Sequence, residues 1–291
     1  MKTSGKTMVC GVMGCPIEHS MSPMMHNYYS EQIGVDMTYV PFKVQPGQVG
    51  AAVRGAYALN VTGVNVTIPH KQAVMEHLCG IDEAAEAIGA VNTLVRDELG
   101  YKGYNTDAAG LFRAMTEAGM EIQDETCILL GAGGAAKAAA YVLAKEGAAR
   151  VYVLNRSVDK ARALSDDING RFGRELLVPL ALSEWRSIPE KDCLAVQTTS
   201  VGMHPDVEAA PVTEPEFYEK LGAAFDVIYT PVETKFMKLA AAAGARTSNG
   251  LDMLLYQGIA AYEMWYPEVK IPEPVIDGAR ELLSRFLGGD A

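Results

Sequence analysis

The segment Cys127-Ile128-Leu129-Leu130-Gly131-Ala132-Gly133-Gly134-Ala135-Ala136 constrains this chain more than any other. Four apolar residues run into a glycine turn and then into a helix-forming stretch. The spacing fits Gly-x-Gly-x-x-Ala. In such a turn the first glycine makes the tight bend and the second lets backbone approach a pyrophosphate. The small last residue lets helix and strand pack closely. The free N–H groups of the helix then hold phosphate. A glycine turn alone is weak evidence, but the flanking strand and helix favour a dinucleotide site at Gly131, Ala132, Gly133, Gly134 and Ala135. Lys137 falls in the first helical turn, where the helix dipole disfavours a cation. A nearby phosphate accounts for it, and so does exposure to solvent.

The next strand ends at Leu154-Asn155-Arg156-Ser157. Sites for NAD place an acidic residue about twenty positions past the glycine motif, bonded to the ribose. Here that place holds Asn155 and Arg156, with Lys160 one turn on. A guanidinium pairs with a 2′-phosphate through two bonds. Ser157 is placed to cap the next helix and to bond the same phosphate. The missing acid points to NADP, with NAD left open.

Short β-like runs alternate with helical runs along the rest of the chain, which implies parallel sheets with crossover helices. The 291 residues are enough for two domains. The expected fold class is α/β with two domains. A discontinuous α/β domain takes residues 1–107. A Rossmann-type doubly wound parallel-sheet cofactor domain takes 108–248. Residues 249–291, helical only, pack back on the first domain. Ser22-Pro23, Pro69 and Asp107 are each expected to open a helix, with Ser22 and Asp107 as caps.

Composition removes several function classes. The net charge of −11 repels nucleic acid and anionic membranes, so neither is an expected partner. No apolar run approaches the ~18–20 residues that span a bilayer. Five cysteines, an odd number without a CxxC pair, read as small hydrophobes in a reducing cytoplasm. The five histidines are scattered, and no metal site is expected.

Polar groups cluster where strands give way to helices: Ser20 and Ser22; Asn65, Thr67 and Lys71; Asn92 and Thr93; Asn105, Thr106 and Asp107. Ligands of α/β sheets bind at the carboxyl ends of strands. Small hydrogen bonders with one cation and one carboxylate suit a polyhydroxylated acid. Each group also has a plainer use, in capping, loop bonding or solvation.

These residues carry a family resemblance. Gly14-Cys15-Pro16-Ile17-Glu18-His19-Ser20-Met21-Ser22-Pro23 resembles the opening motif of shikimate dehydrogenases, and Asn65–Lys71 their second. Gly89–Thr93, Asn105-Thr106-Asp107, Gly131–Ala136 and Asn155-Arg156-Ser157 follow in the family's order. Asn249–Gln257 is similar to the closing motif. The resemblance covers about residues 10 to 260. It implies reversible reduction of 3-dehydroshikimate to shikimate with NADPH, in aromatic amino-acid biosynthesis. It also implies that Ser20 and Ser22 bind the ring carboxylate, and that Asn65, Thr67, Asn92, Asp107 and Gln257 bind ring hydroxyls. Lys71 would lie close to the reacting oxygen, with Tyr229 a further substrate contact. Gly250 would lie by the nicotinamide and Thr198 on the cofactor side.

Hydride delivery to a ketone leaves negative charge on oxygen, which needs a proton donor, and the reverse reaction needs a base. Lys71 and Asp107 are the one plausible acid/base pair among the matched positions. One departure is Gln197-Thr198-Thr199-Ser200, where the family often has Asn-Ala-Thr-Ser. Three other readings remain: a dual-specificity quinate/shikimate dehydrogenase using NAD or NADP, a non-catalytic dinucleotide sensor on the same scaffold, and another two-domain dehydrogenase. The small-molecule substrate is the expected partner, with the protein a monomer or homodimer.

Overall fold

The computed structural model describes residues 3–288. Contacts divide the chain into two compact units, one of Met1–Asp107 with Leu255–Ala291 and one of Ala108–Leu254.

The first unit begins with β1 (Met8–Gly14), α1 (Ser22–Ile33), β2 (Met37–Lys43), α2 (Val49–Ala58) and β3 (Gly63–Val66). A 3₁₀ turn over Ala73–His77 leads to β4 (Gly80–Ile81), α3 (Glu83–Ile88), β5 (Thr93–Asp97) and β6 (Gly100–Tyr104). Helix α4 (Thr106–Glu117) carries the chain out of this unit. The sheet order is β2-β1-β3-β5-β6-β4. It is mixed, not purely parallel as the alternation suggested. β5 pairs antiparallel with both β3 and β6. Only Glu98 and Leu99 separate β5 from β6, too short a link for a parallel crossover.

The second unit holds β7 (Thr126–Leu130), α5 (Gly134–Lys145), β8 (Arg150–Asn155), α6 (Val158–Phe172) and β9 (Leu177–Ala181). It continues with β10 (Cys193–Gln197), α7 (Pro215–Tyr218), β11 (Leu221–Asp226), α8 (Lys235–Ala242) and β12 (Arg246–Ser248). All six strands are parallel in the order β12-β11-β10-β7-β8-β9. This is the doubly wound order, with its reversal between β7 and β10. Helix α9 (Leu251–Trp265) returns the chain to the first unit, which α10 (Glu273–Gly288) completes.

Local chemistry sets the element ends. Gly34 closes α1 and Gly89 closes α3 in the left-handed region, at φ 74° and 68°. Asp82 caps α3 by accepting from Ala84 N–H, and Thr234 caps α8 by accepting from Met237 N–H. Helices open at Ser22-Pro23 and beside Asp107 as expected, but neither Ser22 nor Asp107 is the cap, and the helix expected at Pro69 does not form. Met21 is the cap residue of α1, so Ser22 is its first helical residue and makes no cap bond. Asp107 is the second residue of α4, not its cap. Pro69 opens no helix: Lys71 lies in an irregular turn before the 3₁₀ segment.

Each unit has its own core. Behind β1–β3, His26 stacks on Tyr39 at 4.3 Å and Trp265 tilts against both rings. Trp265 Nε1 donates to Leu94 O at 3.0 Å, fastening α9 to β5. Gly63 in β3 lies under the Trp265 ring, where a Cβ would collide with the indole. In the second unit Leu130, Leu154, Trp185, Phe217, Tyr218, Ala224 and Phe236 form one buried cluster.

Candidate active site

Polar side chains of the first unit converge where β3 and β6 end and β5 and α4 begin. Lys71 Nζ donates to Asp107 Oδ2 at 2.6 Å, with both side chains mostly buried at 29% and 21% exposure. Asp107 stands in the first turn of α4, the end of a helix that favours a carboxylate. Its second oxygen, Oδ1, accepts from Asn92 Nδ2 at 2.8 Å. Asn92 Oδ1 in turn accepts from Thr106 N–H at 2.7 Å and from the Thr93 hydroxyl at 3.0 Å. Asn65 Nδ2 donates to Asn92 O and to Thr93 Oγ1, at 3.2 and 3.1 Å.

The backbone of Lys71 is held from two sides. Val91 N–H donates to Lys71 O at 2.8 Å, and His70 anchors the turn by bonding Val44 O at 2.7 Å. Ser22 N–H donates to Ser20 Oγ at 3.3 Å, which keeps the two serines together. The Tyr39 hydroxyl donates to Asn65 Oδ1 at 2.7 Å. Burial pushes its ionisation well above the usual phenol range. Thr67 follows β3 and packs against Gly14, where a Cβ would approach its methyl to 2.5 Å. Gln257 lies half-buried on α9.

The second unit carries the other sequence-selected residues. Gly131 takes φ +116° after β7, and a Cβ there would lie 2.6 Å from Thr198 Oγ1. Only glycine fits this bend. Thr198 is itself tied to Leu130 O, by its N–H at 2.9 Å and its hydroxyl at 2.7 Å. Gly133 and Gly134 are exposed, and a Cβ on either would meet nothing within 4 Å. Space therefore remains over the start of α5 beside Ala132 and Ala135, while Ala136 packs fully buried beneath it. Asn155 ends β8 and donates to Ser157 O at 2.9 Å. Arg156, Ser157 and Lys160 are exposed around the start of α6, and Ser157 stands at its cap position without a side-chain cap bond. Arg156 borders a hollow lined also by Ala181, Ser183, Trp185 and Pro211.

Gln197, a departure from the family pattern, turns its amide into its own loop. It accepts from Thr199 N–H at 2.6 Å and donates to Thr199 O and Val201 O. Asp226 is fully buried at the end of β11 and accepts from Ile228 N–H at 3.0 Å and Thr234 Oγ1 at 2.7 Å. Burial pushes its carboxyl up to about 6. These bonds shape the loop that bears Tyr229, itself half-buried with its ionisation raised by burial. Gly250 N–H donates to Ile228 O at 3.1 Å, and a Cβ there would strike the Val227 carbonyl.

Comparison with known proteins identifies this arrangement. Residues 12–94 match the model of the shikimate dehydrogenase substrate binding domain, and residues 113–200 match that of shikimate / quinate 5-dehydrogenase. The shikimate dehydrogenase (NADP(+)) of Methanothermobacter thermautotrophicus is 42% identical over 287 residues, 99% of either chain. The chain belongs to the shikimate dehydrogenase family. Among solved members of the family, a shikimate dehydrogenase in complex with NADP+ superposes at TM-score 0.86 with 37% identity, covering 96% of each chain. Shikimate 5-dehydrogenase of Listeria monocytogenes, in complex with shikimate and NAD, gives TM-score 0.90 at 31% identity over 97% of this chain and 98% of that one.

Two residues of this shikimate dehydrogenase family member, Tyr39 and His70, were given no role from sequence, while Thr93 and Thr106, grouped there with the ligand-binding candidates, instead bond to the asparagines. Thr93 and Thr106 stand inside motifs that bear the resemblance, so their position was the available signal. Tyr39 had none, because an aromatic residue in a strand reads as core.

Proposed function

We propose that the chain catalyses reversible hydride transfer between NADP and the hydroxyl-bearing carbon of shikimate, giving 3-dehydroshikimate in the oxidative direction. The observation that carries the assignment of roles is the Lys71–Asp107 pair at 2.6 Å, held at the end of a hydrogen-bonded set of asparagines and threonines. NADP, when bound, supplies the hydride donor or acceptor. The open space over Gly133 and Gly134 fits a pyrophosphate, which the α5 N-terminus would hold. Exposed Arg156, Ser157 and Lys160 fit a 2′-phosphate.

Lys71 gives the reacting oxygen a proton as the ketone is reduced and takes it back in the reverse direction. Asp107 fixes the ammonium and accepts from a substrate hydroxyl. Ser20 and Ser22 bind the ring carboxylate, while Asn65, Thr67, Asn92, Gln257 and Tyr229 bind the ring and its hydroxyls. Gly250 lies by the nicotinamide when the cofactor is bound. The substrate is a small molecule, handled by a monomer or homodimer in the cytoplasm. Five free cysteines suit a reducing compartment, and among the described residues no helix is long and apolar enough to cross a membrane.

Initial rates of nicotinamide reduction with shikimate or quinate, each with NADP or NAD, test the assignment. Strong activity only with shikimate and NADP supports it. Comparable rates with quinate or NAD place the chain in the dual-specificity branch. Inactivity of folded, cofactor-binding protein with every pair would leave a sensor.

A further inference from the structure

Asn65 and Asn92 are held in opposite senses, and backbone groups fix which way each amide faces. Thr106 N–H, a donor only, points at Asn92 Oδ1. The Asn92 amide nitrogen must then face Asp107 Oδ1. The carbonyl of Asn92, an acceptor only, receives Asn65 Nδ2, so Asn65 Oδ1 must face the Tyr39 hydroxyl. Counting bonds leaves each amide one capacity. Both N–H groups of Asn65 are used, by Asn92 O and Thr93 Oγ1, and its oxygen retains a lone pair. Thr106 N–H and the Thr93 hydroxyl fill the two lone pairs of Asn92 Oδ1, with the Thr106 hydroxyl within reach of both Asn92 Oδ1 and Thr93 Oγ1, and the Asn92 nitrogen retains one N–H. Toward a ligand Asn65 is an acceptor and Asn92 a donor. Asp107 adds an acceptor and Lys71 adds donors.

The hydroxyl between the two amides belongs to Thr93, which is fully buried. It accepts from Asn65, donates to Asn92 and meets Thr106 Oγ1 at 3.0 Å.

We propose that Thr93 is a positioning residue that holds the two amides in the senses the backbone sets, so that a ring hydroxyl donates to Asn65 while the oxygen beside Lys71 accepts from Asn92. The proposal rests on the functional reading above, in which these asparagines meet the substrate. Thr93 itself is buried beneath them and acts only through them. A ketone oxygen, which accepts but cannot donate, suits the Asn92–Lys71 end. A hydroxyl, which can donate, suits Asn65.

The test compares Thr93→Val with Thr93→Ser. Valine keeps the shape and removes the hydroxyl, whereas serine keeps the hydroxyl. Thr93→Val is expected to lower kcat/KM for shikimate by about tenfold to a hundredfold, the scale of a misplaced polar group, with KM for NADP unchanged. Thr93→Ser is expected to restore the parent value to within about threefold. Thr93→Val with the parent kcat/KM, or Thr93→Ser as impaired as valine, would overturn the proposal. If valine does not fold, Thr93→Ala, which leaves room for water, gives the same comparison.

A second readout needs no turnover. The side-chain amide ¹⁵N–¹H cross-peaks of Asn65 and Asn92 are expected to move in Thr93→Val and to stay in Thr93→Ser. Should the parent fail to oxidise shikimate, the functional reading falls, and these cross-peaks alone decide the positioning role. Unchanged peaks in the valine variant would refute it.

Discussion

Lys71 is the one cation in a chain of hydrogen bonds that otherwise links neutral groups to a single carboxylate. Its replacement by alanine removes the proton donor and leaves Asp107 with Asn92 alone. Lys71→Ala is expected to lower kcat by about 10²–10⁴-fold, the usual worth of a general acid or base. Thermal melting should change little, because the ion pair is partly exposed and such pairs stabilise weakly. Asp107→Asn should also lower kcat while leaving α4 formed, since Asp107 occupies the second helical position and does not cap. Steady-state rates beside melting curves check both. Near-parent turnover in Lys71→Ala would remove it from the acid/base role. The residue types at this site were readable in the sequence, but their offsets were not. A serine or aspartate one or two positions from a helix start looks the same as a cap until the backbone is seen. The bonds of Thr93 were hidden too, because a threonine heading a strand carries no outward sign of three polar partners.

Among elements, strand–turn–helix units announce themselves through apolar runs and glycine, and β7–α5 is the clearest case. Less visible was the pairing. The mixed sheet of the first unit follows from the two-residue link between β5 and β6, a feature of spacing and not of composition. Pro69 was expected to open a helix and instead stands in a turn, because proline suits either a turn or a first helical position. Two glycines show how packing between elements decides tolerance. Gly63 of β3 lies against the rigid Trp265 indole of α9, and Gly258 of α9 lies against the flexible end of Met25 in α1. Gly63→Ala is expected to destabilise the protein by about 3 kcal/mol or more, by overpacking against a group that cannot yield. Gly258→Ala should cost about 1 kcal/mol or less, because methionine re-packs and alanine is the better helix former. Denaturant melts compare the pair, and equal losses would refute the packing argument.

At the scale of the molecule, a buried histidine in the first unit and a buried aspartate in the second respond to acid with opposite sign. His26 in the first unit is enclosed by Met25, Tyr29, Tyr39, Tyr262 and Trp265, and neither ring nitrogen has a protein hydrogen-bond partner. Burial lowers its pKa from 6.5 to about 3. Between those values the unfolded chain takes up a proton that the folded unit refuses, so stability falls as pH drops below about 6.5. Asp226 in the second unit is raised from 3.8 to about 6 by burial, so the folded unit holds a proton that the unfolded chain has lost. Its stability falls as pH rises from about 4 to about 6. His26→Phe is expected to protect peptides of the first unit at pH near 5, by a few kcal/mol at most. Asp226→Asn, whose amide can donate to Thr234, should protect the second unit most above about pH 6, by about half as much near pH 5, and not at all below about pH 3.8. Hydrogen exchange read peptide by peptide separates the two effects, and uniform changes across both units would contradict this assignment.

The division of the first unit between residues up to Asp107 and residues from Leu255 onward also has a temporal side. On the ribosome, its early strands emerge while α9, and with it the Trp265 ring that covers Gly63, has not yet been made. The second unit is complete in sequence first. At ordinary elongation rates the gap lasts on the order of ten seconds. During that interval the nascent amino-terminal segment exposes apolar surface that the finished protein hides.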